Sequence, residues 1–313
     1  MPYSLPEKKV QAVRDDPNWH WQADLTLVFS QIKKRGTRLT RNRHRGPLYV
    51  QKPFYPEGAD VAHVYLLHPP GGLVSGDTLT LNIELEESAK GLVTTPGATR
   101  MYKARKKSPV QRQQTTLVLK ENATLEWFPM EAIVYNQAHA ELETTITLND
   151  SSSIFAWEIT CFGLPARGEK FELGYFKQRY RIEKNNKPLF IDNLIVDKLD
   201  VDKLDSSNKN KEQFFSSNAG MQKKTVSGFF IAGPFENNDY SKRRDILTEQ
   251  LRDVLVKENF EKTISITWVN DFCITRYLGD SAFQARKGFT LLWQCLRPAL
   301  IQLKACEPRI WLT

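Results

Sequence analysis

No apolar run in these 313 residues approaches the roughly 18 needed to span a membrane, so no transmembrane helix is expected. The first residues, Met1-Pro2-Tyr3-Ser4-Leu5-Pro6-Glu7-Lys8-Lys9, also lack the apolar stretch of a signal peptide, which predicts a cytoplasmic protein. The four cysteines, Cys161, Cys273, Cys295 and Cys306, are widely spaced and form no C-x-x-C pair, which predicts buried, reduced thiols. Histidines number only five and are scattered. His63 and His68, five apart in or beside a strand, fall on opposite faces by alternation, so no zinc site is spelled. A G-x-S-x-G elbow, an H-E-x-x-H helix and a dinucleotide fingerprint are all missing, which removes the common hydrolase and dehydrogenase signatures.

One lysine is missing from an otherwise suggestive loop. His68-Pro69-Pro70-Gly71-Gly72-Leu73-Val74-Ser75-Gly76-Asp77-Thr78 nearly follows G-x-x-x-x-G-K-[ST], but Asp77 stands where the lysine belongs. A carboxylate there repels the phosphates that the lysine would attract. The following Leu79-Thr80-Leu81-Asn82-Ile83-Glu84-Leu85-Glu86 alternates with period two and predicts a strand, not the helix whose N-terminus holds phosphate. The glycines are therefore assigned to a turn, and nucleotide binding is not expected.

What is present is ordinary soluble composition, with 41% hydrophobic and 26% charged residues. Short alternating runs punctuated by Gly, Pro and Asn fill residues 24–160, as in Ala23–Phe29, Val61–Leu67, Gln114–Leu119 and Glu143–Leu148. They predict a mainly β protein, a large layered or coiled sheet stack of β-helix-like or sandwich form, rather than βαβ units. Further strands are expected at Ile154–Cys161, Phe171–Glu183, Leu189–Val196 and Thr263–Tyr277.

Two C-terminal helices are expected. One spans Ser241–Glu258, capped by Asp239 or Ser241, with Ile246, Leu247, Leu251, Val254 and Leu255 on its apolar face. The other opens at a Ser281-Ala282-Phe283-Gln284 capping box, buries Phe289, Leu292, Trp293 and Leu296, and is kinked or ended by Pro298. The organisation expected is an N-terminal extension (1–22) and one domain (23–313). Within it, 23–196 and 222–238 are β-rich, 197–221 is a polar surface excursion, and 239–313 is helix-strand-helix. The aspartates of the excursion do not make a calcium loop, since Asp205 and Lys211 occupy the Gly and Glu positions counted from Asp200.

The net charge of +8 is concentrated at Lys33, Lys34, Arg35, Arg38, Arg41, Arg43 and Arg45, and again between Arg100 and Arg112. No recognition helix or aromatic RNA signature accompanies it, so a solvated loop or an acidic protein partner is expected rather than nucleic acid. Carboxylates in apolar surroundings carry more information: Glu131 after Trp127-Phe128-Pro129-Met130, Glu158 in Phe155-Ala156-Trp157-Glu158-Ile159, and Asp192 in Phe190-Ile191-Asp192. A buried carboxylate is costly unless it meets a cation, a donor or water. Two explanations stand: the side chains turn outward or pair with arginines such as Arg167 and Arg179, or they line an acidic internal passage suited to a divalent cation moving between weak oxygen sites.

The His68–Asp77 segment, Thr94-Thr95-Pro96-Gly97-Ala98-Thr99-Arg100-Met101-Tyr102, Leu125-Glu126-Trp127-Phe128-Pro129-Met130-Glu131-Ala132-Ile133 and the ending Pro308-Arg309-Ile310-Trp311-Leu312-Thr313 resemble the urease accessory proteins UreD, also called UreH. The resemblance runs in register from about Trp21 to Thr313. Met130 stands where the family commonly has Gln, and the polar excursion is longer than usual. The resemblance implies a non-enzymatic maturation factor with layered, coiled sheets and two C-terminal helices. It also implies partners: UreF, the GTPase UreG and the urease apoprotein, with room for a dimer of heterocomplexes through UreF. No cofactor is held tightly. Nickel is implied as transient cargo, on a path through Asp77, Glu158 and Asp192, to which Glu131 is added for its apolar surroundings. His68, Pro69, Gly71, Gly72, Gly76, Thr95, Pro96, Gly97, Tyr102, Arg309 and Trp311 are motif positions of structural role. A docking adaptor without a nickel path remains the alternative, and an enzyme using His68 and Asp77 as an acid/base pair the more distant one.

Overall fold

The computed structural model describes residues 20–106, 108–198, 214–235 and 240–312. The chain starts with β1 (Gln22–Ile32), turns into β2 (Gly36–Arg45), and passes through β3 (Tyr49–Val50), β4 (Val61–Leu67) and β5 (Gly72–Leu73). It then winds as a coil: β6 (Thr78–Leu85), β7 (Lys90–Thr94), β8 (Thr99–Met101), β9 (Gln111–Leu119), β10 (Thr124–Phe128), β11 (Ala132–Val134), β12 (His139–Leu148), β13 (Ser153–Phe162) and β14 (Gly174–Lys184). Strands β15 (Lys187–Lys198) and β16 (Val226–Gly233) follow, then helix α1 (Tyr240–Lys257), the hairpin β17 (Ile264–Val269) and β18 (Phe272–Gly279), and helix α2 (Ala282–Ile301).

Successive strands alternate between two facing sheets. The first has the order β15-β14-β12-β9-β6-β1-β2, and the backbone of the second runs β17-β18-β16-β13-β10-β7-β4-β3. Within the coil, β6, β9, β12 and β14 pair in parallel in one sheet, and β4, β7, β10 and β13 do so in the other. The short strands β5, β8 and β11 make a third, narrow ladder. This is the mainly β layered stack expected from the alternation, two sheets facing each other as in a sandwich, and its crossovers are turns and short strands rather than helices. Each strand sends alternate residues inward, so Leu79, Leu81, Ile83 and Leu85 of β6 are buried while their neighbours are not. Failure of the phosphate loop is visible too, since a strand and no helix leaves Thr78.

Three layers result. One core fills the space between the sheets, with Phe29, Leu81, Leu117, Ile146, Phe176 and Ile231 among its members. A second lies between the other face of the β13 sheet and the helices, where Trp157, Phe230, Phe289, Trp293 and Leu296 pack. Strand β13 feeds both: Ile154, Ala156 and Phe162 face the first core, and Phe155, Trp157, Ile159 and Cys161 the second.

Helix α2 starts as expected, with Ser281 Oγ accepting the Gln284 N–H at 3.3 Å. Pro298 ends it only one turn later, where Gln302 turns left-handed and donates to the Pro298 carbonyl. The candidate cap Asp239 of α1 lies outside the described residues, as do 199–213 of the polar excursion.

Several expectations need correction. Thr263–Tyr277 is a hairpin, not one strand, because Asn270 takes a left-handed φ of 51° and turns the chain at Asn270-Asp271. Ile246 is 61% exposed, since the face of α1 that packs uses Leu247, Leu251 and Leu255. Cys295 and Cys306 are only half-buried, whereas Cys161 and Cys273 are buried, and all four are free. The basic run from Arg38 to Arg45 is no loop; it forms most of the edge strand β2. Among the described residues no helix is long and apolar enough to cross a membrane.

Candidate functional site

The inward face of the first sheet is not uniformly apolar. Parallel register stacks Leu81, Thr115, Thr144 and Tyr180 side by side, with Asp192 opposite Tyr180 on β15. The neighbouring column runs Leu79, Gln113, Leu142, Gln178. Polar side chains at inward positions of successive coils thus form a stripe through the space between the sheets. Two adjoining cavities follow it. The larger, of about 210 Å³, is bounded by His68, Gly71, Thr95–Arg100, Gln113, Trp127 and Pro129 among others. The smaller, of about 30 Å³, shares Thr99, Gln113, Trp127 and Pro129 with it and reaches Met130, Thr144, Glu158 and Gln178.

Glu158 comes from the opposite sheet, at an inward position of β13. Its carboxylate accepts the Thr144 hydroxyl at 2.5 Å and a hydrogen bond from the Gln178 amide, whose oxygen accepts the Thr160 hydroxyl at 3.3 Å. No cation pairs with it among the described residues. Burial pushes its carboxyl up to about 7, only partly offset by the two donors, and the nearby Asp192 adds to the rise. The Tyr180 phenol is fully buried without a hydrogen-bond partner, and burial and the Glu158 charge raise it well above its usual range.

The other acidic candidates are differently employed. Asp192 shares the inter-sheet face but is held by Arg276 at 2.6 Å. Glu131 lies in the loop after β10, 3.5 Å from Arg286 of α2, whose guanidinium also meets Met130 Sδ at 2.8 Å. The arginines that offset these two are therefore Arg276 and Arg286, not Arg167 or Arg179, and Arg179 lies 3.7 Å from Glu143 instead. Asp77 is 6% exposed and accepts the Trp21 N–H at 2.8 Å and the Val74 N–H at 2.9 Å, which fixes the turn before β6. Of the four carboxylates, Glu158 alone lines either cavity, and it lines the smaller one.

The motif residues build the walls. Gly71 and Gly76 take left-handed φ values of 70° and 87° in the two turns flanking β5, after Pro69. A Cβ on Gly72 would come within 2.6 Å of the Tyr102 ring. Thr95 Oγ1 donates to the Gly97 carbonyl and accepts the Met130 N–H, tying the loop through Pro96 to the end of β10. Burial holds the His68 imidazole below its ordinary pKa, against the pull of Asp77. Arg309 and Trp311 sit in a short C-terminal 3₁₀ turn, and the Trp311 indole N–H donates to Thr94 Oγ1 at 3.0 Å.

Sequence reasoning missed a buried ionic cluster behind the second sheet. Arg297 of α2, 0% exposed, donates to both oxygens of Glu57 at 2.6 and 2.9 Å, to Glu126 at 2.7 Å and to the Lys304 carbonyl. His63 Nε2 lies 2.7 Å from Glu57. Burial pushes Glu126 up to about 7 against the attraction of Arg297. For Glu57 burial also acts upward, but hydrogen bonds from His63 and Arg297 outweigh it and hold the carboxyl below its usual range. The available signal was an arginine next to Leu296 on the apolar side of α2. For the polar stripe it was Gln and Thr at inward parity.

Fold and site together define a class: a three-layer, coiled β protein whose polar groups converge on an internal seam, with no cluster of three or more metal-ligating side chains among the described residues. Comparison with known proteins makes this specific. The family model described as UreD urease accessory protein matches residues 22–312, and the chain belongs to that family. It is 44% identical over 295 residues to the urease accessory protein UreD of Marinomonas sp. strain MWYL1, covering 94% of this chain and 90% of that one. Against the UreD of Psychromonas ingrahamii it is 38% identical, over 95% of this chain and 96% of the relative. Against that of Dechloromonas aromatica it is 36% identical, over 100% and 99%.

Proposed function

We propose that this protein is a urease maturation factor that docks the urease apoprotein with UreF and UreG and lets nickel pass along the seam between its sheets. The observation that carries the reading is Glu158, a buried carboxylate without a cation among the described residues, in the wall of the smaller of two adjoining cavities. Raised to about 7, such a group is about half protonated at neutral pH with the seam empty and gives up the rest of its proton when a divalent ion arrives, because a metal competes with the proton for the same oxygens. Thr144 adds a hydroxyl oxygen, and the Gln178 amide, which now presents its N–H to Glu158, adds its oxygen when turned over. Hard, weak oxygen ligands suit an ion that must leave again. Asp77 argues against a triphosphate at the Gly71–Gly76 loop, so nucleotide hydrolysis falls to the partner GTPase.

Replacing Glu158 by Gln keeps the shape and removes the charge. It is expected to lower urease activation at least several-fold, while co-purification with the accessory proteins and apoprotein is unchanged. Thr99→Trp, in the wall shared by the two cavities, should act likewise. If both variants fold, dock and activate normally, nickel does not travel inside this chain and it serves as a docking adaptor alone.

A further inference from the structure

The seven cations between Lys33 and Arg45 occupy one structural feature, the turn between β1 and β2 and the edge strand that follows. No Asp or Glu falls within that run. Pairing of β2 is with β1 only, so from Arg41 onward its other edge has no strand partner among the described residues. Register places Arg41, Arg43 and Arg45 opposite Val28, Thr26 and Asp24, on the outward face of the sheet. Three guanidiniums therefore repeat every second residue, about 6.8 Å apart, along an edge about 30 Å long.

Neutralisation within the chain is slight. Arg45 pairs with Asp24 at 2.6 Å, and Arg38 stacks over Tyr55 at 4.6 Å. Lys33, Lys34, Arg35, Arg41 and Arg43 are exposed and have no ion pair among the described residues. Glu84, on the same outward face one strand beyond Val28, is 3.3 Å from Lys120. Basic residues on an edge strand do block edge-to-edge aggregation. One or two would suffice for that, and an uninterrupted strip of like charge repels itself until something acidic covers it.

We propose that this strip is a docking surface for an acidic face of a protein partner. A protein is favoured over nucleic acid because the aromatic rings at the strip are already engaged with neighbours, His44 packing on Tyr49 at 5.9 Å. Tyr55 is covered by Arg38, and Phe54 stacks on Tyr65 at 5.0 Å with Lys52 over its ring. Arg set among Tyr and Phe is also the composition of protein interfaces. The strip lies on the first sheet, whereas α1 and α2 cover the second, so it leaves the helical layer free for other contacts.

The test uses the full chain and, as probe, the co-expressed urease apoprotein with its accessory proteins; the choice of probe rests on the urease reading above. Association is followed by stopped flow across ionic strength. Arg41→Glu with Arg43→Glu is expected to slow association about tenfold or more at low salt and to flatten its salt dependence, with little change in dissociation. Arg41→Gln with Arg43→Gln should fall between, and thermal unfolding confirms that both fold. Equal on-rates for wild type and reversal would overturn the proposal while leaving the urease reading intact. Failure of the wild type to associate at all would overturn both. Tighter binding of a poly(U) oligonucleotide than of the protein probe, lost on reversal, would reassign the surface to RNA.

Discussion

Glu158 shows how a single carboxylate can be read at the residue scale. Its alternation parity points inward, its neighbours Trp157 and Ile159 face the other core, and its two hydrogen-bond donors come from the opposite sheet. With a folded pKa raised from 4.5 to about 7, the group binds its proton more tightly folded than unfolded. Its contribution to stability is therefore complete below pH 4.5 and is lost as pH rises to about 7, on the order of 3 kcal/mol if nothing relaxes. Glu158→Gln should remove this loss. A turned Gln178 amide can accept from the new side-chain amide while donating to Thr160, so the network survives. Thermal melts of both proteins from pH 4.5 to 8 should show a flatter curve for the variant and a higher midpoint at pH 8. Parallel curves would mean that Glu158 is already ionised in the folded protein near pH 5.

Among the elements, those with a strong period and a local stop signal were legible. Val61–Leu67 matches β4, the alternating run after Asp77 matches β6, and α2 begins at its capping box. The hairpin of β17 and β18 was not, because Trp268-Val269 and Phe272-Cys273 make an apolar run across a two-residue turn whose signal is Asn-Asp without a glycine. Ile246 misled for another reason: α1 rests on the protein through few residues, and helical periodicity alone does not say which of two adjacent apolar positions is covered. The packing of α2 is tighter. Trp293 is 0% exposed and stands edge-on to Phe128 at 5.2 Å, which in turn stacks on Trp157 at 4.0 Å. Trp293→Ala is expected to cost about 3–5 kcal/mol in chemical denaturation. Ile246→Ala should fall within about 0.5 kcal/mol of wild type, as an exposed position does. An equal loss at both positions would contradict the assignment of the buried face.

For the whole molecule, the coil of parallel strands was only half visible in advance, since alternation shows which side of a strand is buried and not which strand it pairs with. The pairing of β4 with β7, or of β12 with β14, depends on contacts tens of residues apart that no local pattern encodes. The same holds for the tie between layers. Glu57 precedes β4, Glu126 lies on β10, Arg297 on α2 and Lys304 beyond it, and together they join the helical layer and the C-terminal segment to the back of the second sheet. Removing one member of a buried ionic group leaves the others uncompensated, so Arg297→Met is expected to cost about 3–5 kcal/mol. The loss should grow as pH rises through about 7 and above, because Glu126, already raised to about 7 beside Arg297 and raised further without it, loses its proton there and becomes a second stranded charge. Adding Glu126→Leu to Arg297→Met should restore part of the stability, a non-additive result that a simple packing defect would not give. Denaturation midpoints of the two single variants and the double variant decide the matter. If the double variant is as unstable as the sum of the single ones, the cluster fills space rather than balancing charge, and the layers are held by the tryptophan core alone.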